Sequence, residues 1–69
     1  MKLPRPGDRI RLISMPDDPN PIEPGATGTV RFVHEHTVGG ERWAQIGVDW
    51  DNGRKLMLSI PHDRLEILG

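Results

Sequence analysis

A turn runs directly into a strand at Pro24-Gly25-Ala26-Thr27-Gly28-Thr29-Val30-Arg31-Phe32-Val33. Pro24 presets the backbone for the first central position of a turn, and Gly25 provides the positive φ that a type II turn requires next. Gly28 indicates a bulge or a close backbone approach. From Thr29 onward, polar and apolar residues alternate, which predicts a bent strand. The turn therefore sets the register of the strands that follow it.

The composition limits the classes of function that the chain can have. Its 69 residues predict one domain over residues 1–69, and a domain of this size buries only about 60% of the surface of its unfolded chain. Because cysteine is absent, neither a disulfide nor a thiolate metal site is possible, and the redox compartment stays open. The net charge of −1 does not favour nucleic-acid or membrane binding by the whole surface.

The N-terminal residues 1–7 predict an extended lead-in, because two prolines and a glycine exclude a helix or a central strand. No run in the chain approaches the roughly 20 apolar residues of a membrane-spanning helix. We therefore expect a soluble, cytoplasmic protein that does not bind a membrane.

Alternation with a period of two predicts five strands, and no window has the period of a helix. Ile13 breaks the alternation of the first strand and indicates a local bulge. Asn52-Gly53 predicts a type I′ hairpin turn, and Pro61-His62-Asp63 predicts a single helical turn before the last strand. The predicted strands span residues 8–14, 27–36, 42–50, 54–60 and 64–68.

The same alternation predicts which side chains face the core. In the second strand, Val30 and Phe32 point one way while Arg31 and Val33 point the other. Trp50 points inward at the end of the third strand. The expected core consists of Ile10, Leu12, Val30, Phe32, Ile46, Val48, Leu56, Leu58, Ile60, Leu65 and Ile67.

The long first loop completes the predicted architecture. Residues 15–23 contain three prolines and two aspartates, which predicts a stiff, acidic and exposed loop of the kind that often carries function. Five short strands with this loop, one tight hairpin and a helical turn describe an all-β fold, a small SH3-like barrel.

The loop also carries a resemblance to a known family. The run Gly7-Asp8-Arg9-Ile10-Arg11-Leu12-Ile13-Ser14-Met15-Pro16-Asp17-Asp18-Pro19-Asn20-Pro21-Ile22, with Pro24-Gly25 and Gly28-Thr29-Val30, resembles a bacterial and phage family catalogued as domain of unknown function 4314. Val48-Asp49-Trp50-Asp51-Asn52-Gly53 is similar to its second signature. The resemblance covers nearly the whole chain and implies an SH3-like barrel but no activity. The Pro-Gly-x-x-Gly-x-Val turn is also similar to SH3-like modules of translation and transcription that contact RNA or ribosomal proteins.

Trp43 and the acidic loop are the first candidates for partner binding. Trp43 follows the Gly39-Gly40 turn and faces away from the core, so we expect it on the surface near the loop, where an indole beside prolines serves as an anchor. The alternative is that Trp43 only covers the barrel mouth or the prolines. The predicted partner-binding residues are Asp17, Asp18, Asn20, Glu23 and Trp43.

The chemistry of these residues predicts the kind of partner. Carboxylates beside an indole suit a basic segment or a flat protein surface, because they hold a cation whose apolar stem lies on the ring. The chain has no tyrosine and so lacks the aromatic ladder that packs polyproline ligands. We therefore predict a protein or peptide partner that is not rich in proline.

A set of arginines on the outer faces of neighbouring strands predicts a different partner, RNA or DNA, through contacts with phosphates. The alternative is a solvated face in which Glu35 and Glu66 are interleaved with the arginines. Residues able to stack on single-stranded bases are few, because Phe32 is predicted to be buried. The arginine face consists of Arg9, Arg11, Arg31 and Arg64, with Lys2 and Arg5 nearby.

His34 and His36 share one face of the second strand and would need His62 or Asp63 to complete a metal site. Two exposed histidines at a strand end are the simpler interpretation, so we predict no metal and no cofactor.

Catalysis is not indicated either. The only serines, Ser14 and Ser59, lie in no nucleophile elbow, and the chain has no glycine-rich phosphate loop. We predict a protein that is not an enzyme and has no small-molecule substrate.

Overall fold

The computed structural model describes residues 2–69; Met1, the first residue of the predicted lead-in, lies outside them. The strands are β1 (Arg9–Ser14), β2 (Thr27–Val38), β3 (Glu41–Trp50), β4 (Leu58–Ile60) and β5 (Arg64–Ile67). All five form one antiparallel sheet in the order β4-β3-β2-β1-β5, which confirms the all-β class and the number of strands. β4 and β5 are the edges, so the sheet is not closed. In the described part of the chain, no helix is long and apolar enough to cross a membrane.

β1 lies between β2 and β5 and joins distant parts of the chain. Ile10 pairs with Gly28 of β2 on one side and with Ile67 of β5 on the other. The register with β5 shifts between Leu12 and Ser14, which confirms the bulge indicated at Ile13. The Ile13 side chain is accordingly 50% exposed.

Pro24-Gly25 forms the turn that the sequence predicts. Gly25 has a φ of +92°, and the Ala26 N–H donates to the Glu23 carbonyl at 3.0 Å. Leu12 accepts from the Gly25 N–H and donates to the Ala26 carbonyl, both at 2.8 Å. The turn therefore fixes the start of β2 against β1.

The two-residue hairpin turn is at Gly39-Gly40, where φ is +59° and +85°, as a type I′ turn requires. The type I′ turn predicted at Asn52-Gly53 is wrong, because glycines are the only described residues with positive φ. There the Gly53 N–H donates to the Trp50 carbonyl at 2.9 Å, and the Trp50 N–H donates to the Arg54 carbonyl at 3.1 Å. These bonds are typical of a three-residue hairpin loop that ends in glycine.

β4 is shorter than predicted, because residues 54–57 are not part of a strand and β4 begins only at Leu58. The helical turn predicted at Pro61-His62-Asp63 is not found, since residues 2–69 contain no helix. These residues form a turn in which the Asp63 N–H donates to the Ser59 carbonyl at 2.7 Å. The Asp63 carboxylate accepts from the Ser59 N–H at 2.9 Å, which closes the turn from the other side.

A bulge in β2 reverses the predicted orientation of Phe32 and Val33. The partners of Val30 and Phe32 are neighbours in β3, so Arg31 is an extra residue in β2. Beyond this insertion, Val33 packs against the core and Phe32 turns to the outer face. The prediction that Phe32 belongs to the core is wrong, because one inserted residue shifts an alternating pattern to the opposite face.

Two glycines allow close contacts within the sheet. A Cβ at Gly28 would lie 2.7 Å from Val48 Cγ1 and 2.8 Å from the Asp49 carbonyl oxygen, which confirms the close approach predicted there. Gly47 lies beneath the ring of Phe32, and the ring occupies the space of a side chain at this position. Phe32 therefore covers the outer face of β3.

The inner faces of the strands share one core. The predicted core residues that are buried are Ile10, Leu12, Val30, Ile46, Val48 and Leu58. The structure adds Met15 and Ile22 from the first loop and Ala44 from β3, and the burial of Trp50 confirms that it points inward. Leu56, Ile60, Leu65 and Ile67 are only half-buried. Met15 and Ile22 anchor the loop, and the sequence does not distinguish them from its exposed residues.

We expect Leu58→Ala to lower the free energy of unfolding by about 2–5 kcal/mol. The Leu58 side chain is fully buried, so its truncation leaves a cavity in the core. Phe32→Ala removes more atoms but should cost less, because its ring lies on the outer face. Urea denaturation of both variants measures the two changes. A larger loss for Phe32→Ala would contradict its assignment to the outer face.

Candidate partner-binding surface

The first loop, residues 15–26, is ordered by contacts to the rest of the protein. Ile22 is buried in the core, and the Arg54 guanidinium donates to the carbonyls of Asn20 at 2.8 Å and Pro21 at 3.0 Å. The Asp18 carboxylate accepts from the Asn20 N–H at 2.8 Å, as in an Asx turn. The loop therefore presents its acidic side chains from a fixed backbone.

Asp17 and Asp18 lie against the turn that follows β4. The Asp17 carboxylate contacts Nε2 of His62, and both side chains are more than half exposed. A small open cavity lies at this junction, lined by Asp17, Asp18, Met57, Ser59, His62 and Asp63. His62 thus connects the loop to the edge of the sheet.

Trp43 lies on the outer face of β3, as predicted, but it is half-buried. Its indole stacks on the imidazole of His36, the residue opposite it in β2, with the ring centroids 4.4 Å apart. A larger cavity of about 550 Å³ is lined by Glu41, Arg42, Trp43, Ser59, Ile60, Pro61 and His62. His36 therefore fixes the indole, and the cavity gives a ligand access to it.

Ser59 and His62 line both cavities, so the two cavities form one continuous surface. We call it the Trp43–Asp17 surface, after the residues at its two ends. Its ionisable residues are Asp17, Asp18, Glu41, Arg42, His62 and Asp63. The single arginine is itself 3.4 Å from Glu35. The surface is therefore negative, although the net charge of the whole chain is only −1.

Two of the predicted partner-binding residues do not line this surface. Asn20 contributes its carbonyl to Arg54, and the Glu23 carbonyl accepts the hydrogen bond that closes the Pro24-Gly25 turn. Both side chains are exposed. The structure thus brings together three of the five predicted residues, Asp17, Asp18 and Trp43.

Three of the four arginines on the predicted nucleic-acid face contact carboxylates. The pairs are Arg9 with Asp51, Arg11 with Glu66 and Arg31 with Asp49, at N–O distances of 2.6, 2.7 and 3.6 Å. Arg64 is exposed on β5. The paired carboxylates reduce the positive charge that this face offers to phosphates.

Asp51 makes the most extensive of these pairs. Both its carboxylate oxygens accept from Arg9, at 2.8 and 2.6 Å, and one also accepts from the Thr27 hydroxyl at 2.6 Å. The hydrogen bonds from Arg9, followed by the one from Thr27, hold the pKa of Asp51 well below its usual range. Asp51 therefore joins the loop after β3 to β1 and to the start of β2.

The histidines have separate neighbours. The His34 ring lies 4.9 Å from the ring of Phe32, His36 stacks on Trp43, and His62 contacts Asp17. Within residues 2–69, no group of three or more His, Cys, Asp or Glu residues is arranged to hold a metal ion. These contacts give no support to the alternative of a metal site.

Sequence reasoning misses two residues that hold the first loop in place. His62 is, from the sequence, only a candidate metal ligand, and Arg54 is only the first residue of a predicted strand. Both contact the loop at residues 17–21. No local pattern indicates these contacts, because each joins segments that are far apart in the sequence.

The fold and this surface define a small all-β protein with a negative, indole-containing surface. The chain belongs to the family described as Domain of unknown function (DUF4314), whose model matches residues 2–68. This match confirms the resemblance carried by the loop and by the second signature. No curated protein and no solved structure matches the chain significantly.

We expect Asp51→Asn to lower the melting temperature at pH 7, because it removes the carboxylate bound by Arg9 and Thr27. The folded-state pKa lies below the unfolded value of 3.8, so ionised Asp51 stabilises the fold above the unfolded pKa, and this stabilisation is lost as the pH falls toward the folded pKa. Thermal unfolding from pH 7 to pH 2 should show the difference from wild type shrinking below about pH 4.

Glu66→Gln is the matched control, since it removes the charge of a carboxylate that accepts a single hydrogen bond from an arginine on the same face. Its effect at pH 7 should be smaller than that of Asp51→Asn. A difference between wild type and Asp51→Asn that stays constant down to pH 2 would contradict the proposed role of the ionised carboxylate.

Proposed function

We propose that this protein is a non-catalytic interaction module that binds a basic segment of a protein partner at the Trp43–Asp17 surface. We also propose that its five-stranded sheet is an SH3-like barrel. Two features support this assignment, the order β4-β3-β2-β1-β5 and the return of the last strand to β1. Small barrels of this kind present binding surfaces between their loops and strand edges.

The observation that carries the proposal is the position of one indole in a negative cavity. Trp43 lines the cavity beside Glu41 and His62, and Asp17 and Asp18 continue the same surface. A Lys or Arg side chain can place its apolar stem on the indole while its charged group reaches a carboxylate. The surface therefore favours a cation over an anion or a neutral ligand.

Nucleic acid is the alternative partner, and the geometry favours it less. Phosphate binding needs uncompensated positive charge, whereas Arg9, Arg11 and Arg31 each have a carboxylate neighbour. The outward position of Phe32 adds one ring that could stack on a base. One ring beside paired arginines is a weaker site than the negative cavity is for a basic segment.

Selection from a random peptide library against the full chain tests the proposed function. We expect the selected peptides to be enriched in Lys and Arg, and Trp43→Ala to raise their Kd by at least about 30-fold, which corresponds to about 2 kcal/mol. Asp17→Asn combined with Asp18→Asn should also weaken binding, because it removes two carboxylates from the surface. Calorimetry measures the affinities, and melting temperatures verify that the variants are folded.

Glu66→Gln is again the matched control, because it removes a carboxylate that lines neither cavity, and it should keep the wild-type affinity. The proposed surface is wrong if no peptide is selected, or if Arg9→Ala with Arg11→Ala abolishes binding while the Trp43 and aspartate variants bind normally. Salt-sensitive binding of single-stranded or duplex oligonucleotides, lost in the arginine variant, would instead establish the nucleic-acid alternative.

A further inference from the structure

The edge of β3 that borders the larger cavity is paired with β4 over only part of its length. β4 pairs with β3 at three positions, and the last pair joins Ala44 to Ile60. Glu41, Arg42 and Trp43 extend beyond this pair, while Pro61 begins the turn toward β5. The cavity lies in this gap, with the free edge of β3 on one side and the departing chain on the other.

The direction of the main-chain groups of Arg42 follows from two observations. The Trp50 N–H donates to the Arg54 carbonyl, so the main chain of Trp50 faces the β4 side of β3. Main-chain groups alternate along a strand, so those of Ala44 and Arg42 face the same side. Ser59 of β4 uses both its main-chain groups within the turn to Asp63, as expected if its neighbours are the residues bonded to β3.

Arg42 therefore presents an N–H and a carbonyl to the cavity. In the described part of the chain, neither has a main-chain partner on that side. Unpaired main-chain N–H and carbonyl groups at the edge of a sheet are the template to which an added strand binds. β4 ends at Ile60, and the turn that begins at Pro61 takes the chain away from β3 before a residue pairs with Arg42.

We infer that the partner binds as an extended strand that continues the line of β4 and pairs with the main chain of Arg42. This inference rests on the proposed function, because it concerns the same surface. A residue opposite Arg42 forms two hydrogen bonds, and its neighbours along the strand project on the face that carries Trp43. A Lys or Arg at a neighbouring position lies beside the indole and is directed across Ser59 and His62 toward Asp17.

The charges of the Trp43–Asp17 surface support a basic extended segment as the occupant. Glu41 at one end of the free edge and Asp17 and Asp18 at the other end of the surface are carboxylates. Main-chain hydrogen bonds would supply affinity that does not depend on sequence, and the indole and carboxylates would supply the preference for a cation.

A second open edge in the same hairpin provides an internal comparison. β1 pairs with β2 only at residues 27–29, so the outer edge of β2 is unpaired near the hairpin turn. Thr37 of β2 lies opposite Arg42, and since the Arg42 main chain faces β4, that of Thr37 faces this second edge. Within residues 2–69 neither N–H has a main-chain partner, so the two residues carry equivalent free N–H groups on opposite sides of one hairpin.

Proline substitutions at these two positions test the inference with the tightest peptide from the selection described above. Arg42→Pro removes the N–H that faces the cavity, and we expect it to raise the Kd about tenfold, as for the loss of one hydrogen bond. Arg42→Ala also removes the side chain from the cavity but keeps the N–H, so it separates the loss of the side chain from the loss of the main-chain hydrogen bond, and Arg42→Pro should bind more weakly than Arg42→Ala. Thr37→Pro should bind normally, because proline is tolerated where a strand's N–H faces outward.

Amide hydrogen exchange of the wild-type protein provides a readout that needs no variant. Exchange of the Arg42 amide should slow in the presence of the peptide, while that of the Thr37 amide should not change. Slower exchange at Thr37 instead of Arg42 would show that the strand adds to β2 and would overturn the inference. Peptide binding that depends on Trp43 with no change at the Arg42 amide would also overturn it, while leaving the proposed function intact. Failure to select any peptide would remove both.

Discussion

One inserted residue, Arg31, determines what the two faces of the β2–β3 hairpin display. Without it, His36 would lie opposite Arg42; with it, His36 lies opposite Trp43 and stacks on the indole. The same insertion moves Phe32 outward and Val33 onto the core. Because side chains alternate between faces, a single bulge carries its effect along the whole hairpin. The stacking of His36 on Trp43 therefore depends on the bulge at Arg31, which lies five residues before His36 in β2. Trp43 forms one end of the Trp43–Asp17 surface, so this end of the surface depends on the same bulge.

In the first loop, the residues that anchor the backbone are different from the residues whose side chains face solvent. Ile22 enters the core, and the Arg54 guanidinium binds two of its carbonyls, so the backbone is held without using the carboxylate of Asp17. That carboxylate contacts an exposed histidine. A loop of this kind can be ordered before a partner arrives, and less conformational entropy is then lost on binding. The backbone of the loop is ordered by Ile22 and Arg54, while the carboxylate of Asp17 stays accessible to a partner.

Much of the fold could be predicted from local patterns. Pro24-Gly25 forms its turn because its conformation depends on neighbouring residues alone, and five alternating segments became five strands. Phe32 and Asn52-Gly53 show the limit of local patterns. The orientation of Phe32 depends on an inserted residue that the alternation does not reveal. The turn type at Asn52-Gly53 depends on how the chain continues toward Leu58. Asp17, Asp18 and Trp43 could be selected from their chemistry. The roles of His62 and Arg54 depend on long-range contacts, which no local pattern of residues specifies.

The pairing of Ile10 with Ile67 has a consequence for how the sheet assembles. The β2–β3 hairpin closes through neighbours in sequence, with Val38 opposite Glu41, and so loses little chain entropy as it forms. β1 and β5 come from opposite ends of the sequence, and their ladder can form only after the intervening chain has been brought together. Substitutions at the Gly39-Gly40 turn would thus act mainly on the rate of folding if the hairpin forms in the transition state, whereas substitutions between β1 and β5 would act mainly on the rate of unfolding. The speed with which the sheet forms and the time for which it persists are set by different strand pairs.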